Sequence, residues 1–536
     1  MRGIGPAALA LTLTATSAPV RVPVLARITD EGFARSEVMD TATYLSDRIG
    51  GRMTNSPAMR AAEAWTQQRF RDWGLADVHA EGFDFGRGWT IEEASTTMIA
   101  PRRMPLRSIP VAWTPGTNGA VTADVVIAPM TRAADFAAWH GKLAGKIVLL
   151  SVAPDPVDET EVPFKRRSDE DLAKLDSYRQ PIADPDALDR LTKGQRFGFD
   201  REAFLKAEGA VAWVRTSGHE NGLVSGEGFG FRIGHTPPLP GIEVAAEDYR
   251  RLVRLARSGP VTLRIDTRVR YDDTDQRAYN ILADLPGTDP KSGYVMAGAH
   301  LDSWVAADGA ADNGAGVAIV MEAARILARL RVPTKRTIRF ALWSGEEQGL
   351  FGSAAYVAIH LARRPLDPDP DKRLFGPYFS QTWPVTPLPD YDRLGAYFNL
   401  DNGSGKIRGI YGEGNLSAIP ILRDWLAPFA SMGATNVVAR PTGGSDQQTF
   451  SAIGLPAFQF IQDDLDYDTR VHHTNLDSVD HLRAGDLRQA AVILATLLVD
   501  AANADAPLPR KALPMPPVGY RSVPPSSAST SRSKKD

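Results

Sequence analysis

The chain has 536 residues, 43% hydrophobic and 23% charged, with a formal net charge of −3 and no cysteine. A chain this long and ordinary in composition predicts a globular protein with more than one core, and it offers no basic field for nucleic acid or an anionic membrane. Without cysteine there are no disulfides, cysteine nucleophiles or thiolate metal sites, so any metal must be held by His, Asp or Glu.

The opening "MRGIGPAALALTLTATSAPVRVPVLA" places one Arg before a modest apolar run, with small residues near Ser17 and Ala18 and again near Ala26. This pattern predicts a signal peptide over residues 1–26 and a secreted or periplasmic location. No other stretch approaches the ~18 uninterrupted apolar residues of a membrane span. Residues 30–113 read as the first part of a larger domain. There "MRAAEAWTQQRFRDWGL" spaces Ala62, Trp65, Phe70 and Trp73 at a helical period, with Gly74 as the stop. Residues 114–275 alternate short β-like runs with turns and predict an inserted β-rich domain, interrupted by a charged, loop-rich excursion over 155–196.

The larger domain resumes over 276–504 with βαβ alternation. Its candidate strands are "GYVMAGA", "TIRFALW", "LGAYFNL" and "LPAFQFI". Between the first two, Val317, Val320, Met321, Ala324 and Leu327 share a helix face opposite Glu322, Arg325 and Arg329. The fold class is therefore α/β, with a mostly parallel sheet covered on both faces. Residues 505–536, rich in Pro and Ser and basic at the end, predict a disordered tail.

The chemistry gathers after these strands. The first ends in His300-Leu301-Asp302, the second runs into Glu346-Glu347, the third ends at Asp401, and His472-His473-Thr474 follows the fourth. In open α/β sheets the ligand crevice lies beyond the carboxyl ends of the strands, so four strands deliver imidazoles or carboxylates to one edge. Asp312, in the glycine-rich "GAADNGAG", can bridge two cations. Two histidines and three carboxylates suit zinc, and two Zn2+ with a hydroxide balance three carboxylate charges. Asp302 is spaced to accept the second ring proton of His300. His472, His79, His140, His219, His235, His360 and His481 are read as ordinary histidines.

These motifs in this order, with "DRIGGRMTNSPAMRAAEAW", "ALWSGEEQGLFGS" and "NLDNGSG", resemble the co-catalytic di-zinc exopeptidase family of aminopeptidases and glutamate carboxypeptidases, nearest its carboxypeptidase Q branch. The resemblance spans about residues 40–504. It implies a phosphorylase/hydrolase-like zinc-exopeptidase fold with a protease-associated domain as the insert. His300, Asp312 and Asp401 would hold one zinc, and Asp312, Glu347 and His473 the other. His473 is preferred to His472 because it directly precedes the Thr. Glu346 would be the general base that activates zinc-bound water, with Asp302 as its companion among the catalytic residues, and a cis peptide would follow Asp312.

The implied partner is a peptide substrate, with neither nucleic acid nor a membrane span, and a homodimer is left open. Carboxypeptidase or dipeptidase action and aminopeptidase action share these motifs. A non-catalytic receptor-like protein is disfavoured by the complete ligand set, and a glutaminyl-cyclase-type acyltransferase by the insert. Gln447 stands where many relatives have His, so substrate contacts are not carried over there.

Overall fold

Runs rich in β-branched and aromatic residues between turn formers become strands. The computed structural model describes residues 18–516 apart from 159, 161, 178–185 and 233. Eight strands form the principal sheet: β1 (Ala76–Asp84), β2 (Arg277–Leu285), β3 (Tyr294–His300), β4 (Thr337–Trp343), β5 (Leu394–Asn399), β6 (Ile407–Tyr411), β7 (Asn436–Val438) and β8 (Ala457–Gln462). Their spatial order is β1-β2-β4-β3-β5-β8-β6-β7. The central strands β4, β3, β5 and β8 are mutually parallel, as their mostly apolar runs predict. β1 and β2 add antiparallel at one edge, and β6 lies antiparallel to β8 and parallel to β7. The sheet is thus mixed, with a parallel centre.

Side chains alternate between two buried layers. Val295, Ala297 and Ala299 of β3 face α1 (Ala18–Ala34), α2 (Pro57–Asp72), α3 (Ala315–Leu330) and α4 (Ala484–Asn503), whereas Tyr294 and Met296 face Tyr356 and Leu361. α2 begins at Ser56, whose hydroxyl accepts from the Met59 N–H, with Pro57 in the first turn. It ends ahead of Gly74, whose φ of 81° supplies the left-handed residue that closes a helix.

Three features differ from the sequence reading. Glu322 and Arg325 of α3 do not face water: Arg325 donates to Glu322 at 2.8 and 2.9 Å and to Glu31 of α1 at 2.8 Å, all three residues being buried. The helix is covered by α1 on the side that its charges suggested was open. The expected boundary between 113 and 114 also falls inside the second unit. Strand Gly88–Ala100 pairs antiparallel with Thr262–Asp272 in a second eight-stranded sheet, so that sheet already begins at Gly88. Finally, residues 505–516 of the expected disordered tail are docked, because Leu508 is buried in the main core and Arg510 pairs with Asp392 at 2.5 Å. The rest of that tail, 517–536, lies outside the described residues.

Residues 1–17 of the expected signal peptide also lie outside them, while Val24 and Leu25, in the remainder, pack on the main core as part of α1. The excursion is tied down as well: Arg166 and Arg167 pair with Asp463, Asp464 and Asp486, and Leu172 packs with Tyr411, Val438 and Ile461. Among the described residues no helix is long and apolar enough to cross a membrane.

Candidate metal centre

The carboxyl ends of β3, β4 and β5 and the loop after β8 converge. His300, the last residue of β3, places Nε2 3.1 Å from Asp401 Oδ1 and 3.3 Å from Asp312 Oδ1. Asp312 turns its other oxygen to His473, with Oδ2 3.2 Å from Nε2. The same Nε2 lies 3.0 Å from Glu347 Oε2. One carboxylate therefore joins two donor groups, a His/Asp pair on one side and a His/Glu pair on the other. The peptide after Asp312 is cis, and the N–H of Asp312 itself donates to Asp477 at 3.0 Å. Asp477 also accepts from the Ala311 N–H at 2.6 Å, so its carboxylate fixes the turn that carries Asp312.

The electrostatics describe a centre short of positive charge. Burial pulls both imidazoles down, yet Asp401 and Asp312 hold His300 well above its ordinary value, and Glu347 and Asp312 do the same for His473. Burial pushes the Glu347 carboxyl up to about 8 and Glu346 well above the carboxylate range. Asp312 Oδ2 and Glu347 Oε1 are buried without a hydrogen-bond partner, a costly condition unless something else satisfies them. A divalent cation among these atoms would displace the imidazole protons and use the orphaned oxygens. Neutral imidazoles and carboxylates at such spacing are zinc donors, and the residues fit that ion.

Asp302 is at the centre, but its groups divide the work differently from the sequence expectation. The acceptor for His300 Nδ1 is the Asp302 backbone carbonyl at 2.9 Å, whereas its carboxylate lies 3.8 Å from that nitrogen. That carboxylate instead accepts from the backbone N–H groups of Glu346 and Glu347, each at 3.3 Å, and from Thr54 Oγ1 at 3.1 Å. It faces the β4 turn because Leu301 pairs its N–H with the Trp343 carbonyl, carrying Asp302 alongside. The carboxylate next to a histidine was found, but at His473: Glu227 Oε1, from the second sheet's unit, lies 2.9 Å from its Nδ1.

Other residues at the centre were not singled out from the sequence. Arg52, fully buried, donates to the carbonyls of Leu301, Asp308 and Gly309 at 2.7–2.8 Å and so fixes the loop that leads from β3 to Asp312. It sits in the quoted "DRIGGRM", directly after the Gly50-Gly51 pair. Asp446 is fully buried, neither of its oxygens has a hydrogen-bond partner, and burial pushes it up to about 8.

His472 stacks on His473 with ring centroids 3.8 Å apart and lies 3.7 Å from Asp312, farther than His473 and more exposed. Of the other histidines set aside, His140, His360 and His481 pair with Glu208, Glu81 and Asp466 instead. Gln447 is buried and takes a hydrogen bond from Asn399 at 3.3 Å.

An α/β sheet presenting two histidines and carboxylates on one edge, around a carboxylate shared between them, defines a metallohydrolase. The model of peptidase family M28 matches residues 280–498. Carboxypeptidase Q of Mus musculus is 23% identical over 478 residues, covering 87% of this chain and 86% of that protein. Probable leucine aminopeptidase 2 of Aspergillus fumigatus is 30% identical over 265 residues, 48% of each chain. Among solved structures, the peptidase M28 precursor of Shewanella amazonensis gives a TM-score of 0.63 at 22% identity, over 93% of this chain and 100% of that one. BSAP, a zinc aminopeptidase from Bacillus subtilis, gives 0.55 at 20% identity, over 88% and 95%. Residues 280–498 match peptidase family M28, and with these relatives the chain is a zinc metallopeptidase.

Proposed function

We propose that this chain is a di-zinc exopeptidase that hydrolyses dipeptides or short peptides in the manner of carboxypeptidase Q. The observation that carries the reading is the divided carboxylate of Asp312, Oδ1 towards His300 and Oδ2 towards His473. His300, Asp312 and Asp401 would hold one ion, and Asp312, Glu347 and His473 the other. When bound, zinc polarises the scissile carbonyl and makes water a competent nucleophile near neutral pH.

The protein's own part is to position and to move a proton. Asp302 fixes the backbone of both glutamates, so Glu347 can turn towards His473 while Glu346 remains the free base. Burial raises Glu346 well above the ordinary carboxylate range, which makes its carboxylate a stronger base. It can therefore take the proton of the attacking water and return it to the leaving amine. The second sheet, 88–272, is proposed as a protease-associated insert, and the N-terminal segment as an export signal for a secreted or periplasmic enzyme.

Coverage of nearly the full length of carboxypeptidase Q supports a carboxypeptidase or dipeptidase. The half-length match to a leucine aminopeptidase keeps aminopeptidase action as the second reading. Free dipeptides, N-blocked dipeptides and aminoacyl-anilides, each with and without chelator, test both. Cleavage of N-blocked dipeptides favours the first reading and cleavage of anilides the second. Hydrolysis that survives the chelator refutes the zinc centre.

A further inference from the structure

The two histidines of the centre are oriented from different parts of the molecule. His300 is held by a carbonyl two residues along its own strand end. His473 has no such local acceptor: its Nδ1 meets Glu227, 246 positions away in sequence. We propose that Glu227 is a positioning residue for His473, so that the second unit completes the metal centre built on the principal sheet. This rests on the reading of His473 as a metal-holding residue.

A carboxylate on Nδ1 keeps the ring proton there, which turns the Nε2 lone pair inward and makes it a better donor. Nε2 is the atom that lies 3.2 Å from Asp312 and 3.0 Å from Glu347. His473 itself sits at φ 56°, a left-handed conformation uncommon for a residue with a side chain.

The loop carrying Glu227 is built to stay in place. Val224 N–H donates to Asn475 Oδ1 at 2.9 Å, and Asn475 N–H donates back to the Val224 carbonyl at 3.0 Å. Asn475 is two residues beyond His473, so the loop is fastened to the histidine's own loop. Within the second unit, buried Glu243 accepts from Ser225 N–H at 2.7 Å and from Arg215 at 2.6 Å. Arg215 also donates to the Glu227 carbonyl at 2.8 Å. Gly226, at φ 67°, lets the loop pass Ile109 and Pro110, since a Cβ there would lie 2.9 Å and 3.0 Å from them. Beyond Glu227, Phe229 meets Trp304 edge-on, and Trp304 meets His473 edge-on at 6.1 Å.

The test compares wild type, Glu227→Ala and Glu227→Gln by zinc titration against a chromophoric chelator, with melting of the metal-free proteins alongside. Glu227→Ala is expected to weaken one of two zinc ions roughly 10–100-fold. The other ion and the metal-free melting temperature should be unchanged, and Glu227→Gln, which keeps an acceptor oxygen, should recover most of the loss. Unchanged affinities in Glu227→Ala overturn the proposal. So does equal weakening of both ions with a lower metal-free melting temperature, which marks a purely structural contact. A wild-type chain that takes up no zinc instead overturns the proposed function beneath it.

Discussion

Asp302→Asn and Asp302→Ala separate two ways in which a buried carboxylate beside His300 can act. If it orients His300, its loss weakens the ion on that side. The distances assign it instead to the Glu346 and Glu347 amides, at 3.3 Å each. Hydrogen bonds to a charged group are worth about 1.5–3 kcal/mol, and two long ones fall at the low end, about 3 kcal/mol together. Alanine forfeits both. Asparagine keeps one acceptor oxygen and forfeits about half. Turnover at saturating zinc should therefore fall roughly 100-fold in the alanine variant and roughly 10-fold in asparagine, at about 1.4 kcal/mol per decade.

The decisive assay is a double-mutant cycle on zinc affinity in a His300→Ala background. There the surviving ion depends on Glu347, so adding Asp302→Asn should weaken it further. An Asp302→Asn substitution that costs nothing once His300 is gone would show that the carboxylate works through the histidine, and would refute the assignment.

Glu346→Gln should keep its zinc and lose turnover roughly 100- to 10,000-fold, the usual reach of a general base; normal kcat in a zinc-replete variant would contradict the role. Asp312→Ala should impair uptake of both ions, whereas Asp401→Ala should impair only one, which metal analysis of the purified variants will show. Arg325→Ala leaves Glu322 buried without its ion partner while Glu31 keeps Arg35, at a cost of about 3–5 kcal/mol, and an unshifted urea midpoint would speak against a closed charge network beneath α1.

Asp446 gives a pH signature. Its folded pKa of about 8 exceeds the unfolded 3.8, so between those values the folded state holds the extra proton. Metal-free stability then falls as pH rises through that window. Asp446→Asn should flatten the fall, seen as a larger gain in melting temperature at pH 8 than at pH 5; parallel pH profiles would count against it.

The principal sheet was legible because its information is local. Each central strand is a mostly apolar run, and period alone puts Val295 and Met296 on opposite faces. The strand ends were legible for the same reason: a His or Asp that closes such a run falls on the crevice edge whatever surrounds it. Charge on a helix was a poorer guide. Glu322 and Arg325 look like a solvent face until Glu31 arrives from a helix nearly three hundred residues earlier. The tail misled similarly, since prolines announce irregular backbone but do not say whether a Leu508 finds a core.

Asp302 and Glu227 show where the boundary falls. Spacing alone brought Asp302 to His300, and the contact exists, yet through the carbonyl; a strand leaving the sheet carries its backbone past the ring, while the side chain points across to the β4 turn. Sequence gives proximity along a chain but not which atom of a residue arrives. For His473 the needed carboxylate comes from a loop of the second unit, in a stretch, "GLVSGEGFG", that reads only as glycine-rich. No period or motif marks it, because its meaning depends on how the second unit meets the first. A centre assembled this way ties metal retention to that meeting: any change that loosens the Val224–Asn475 link should loosen the hold on His473 before it touches His300.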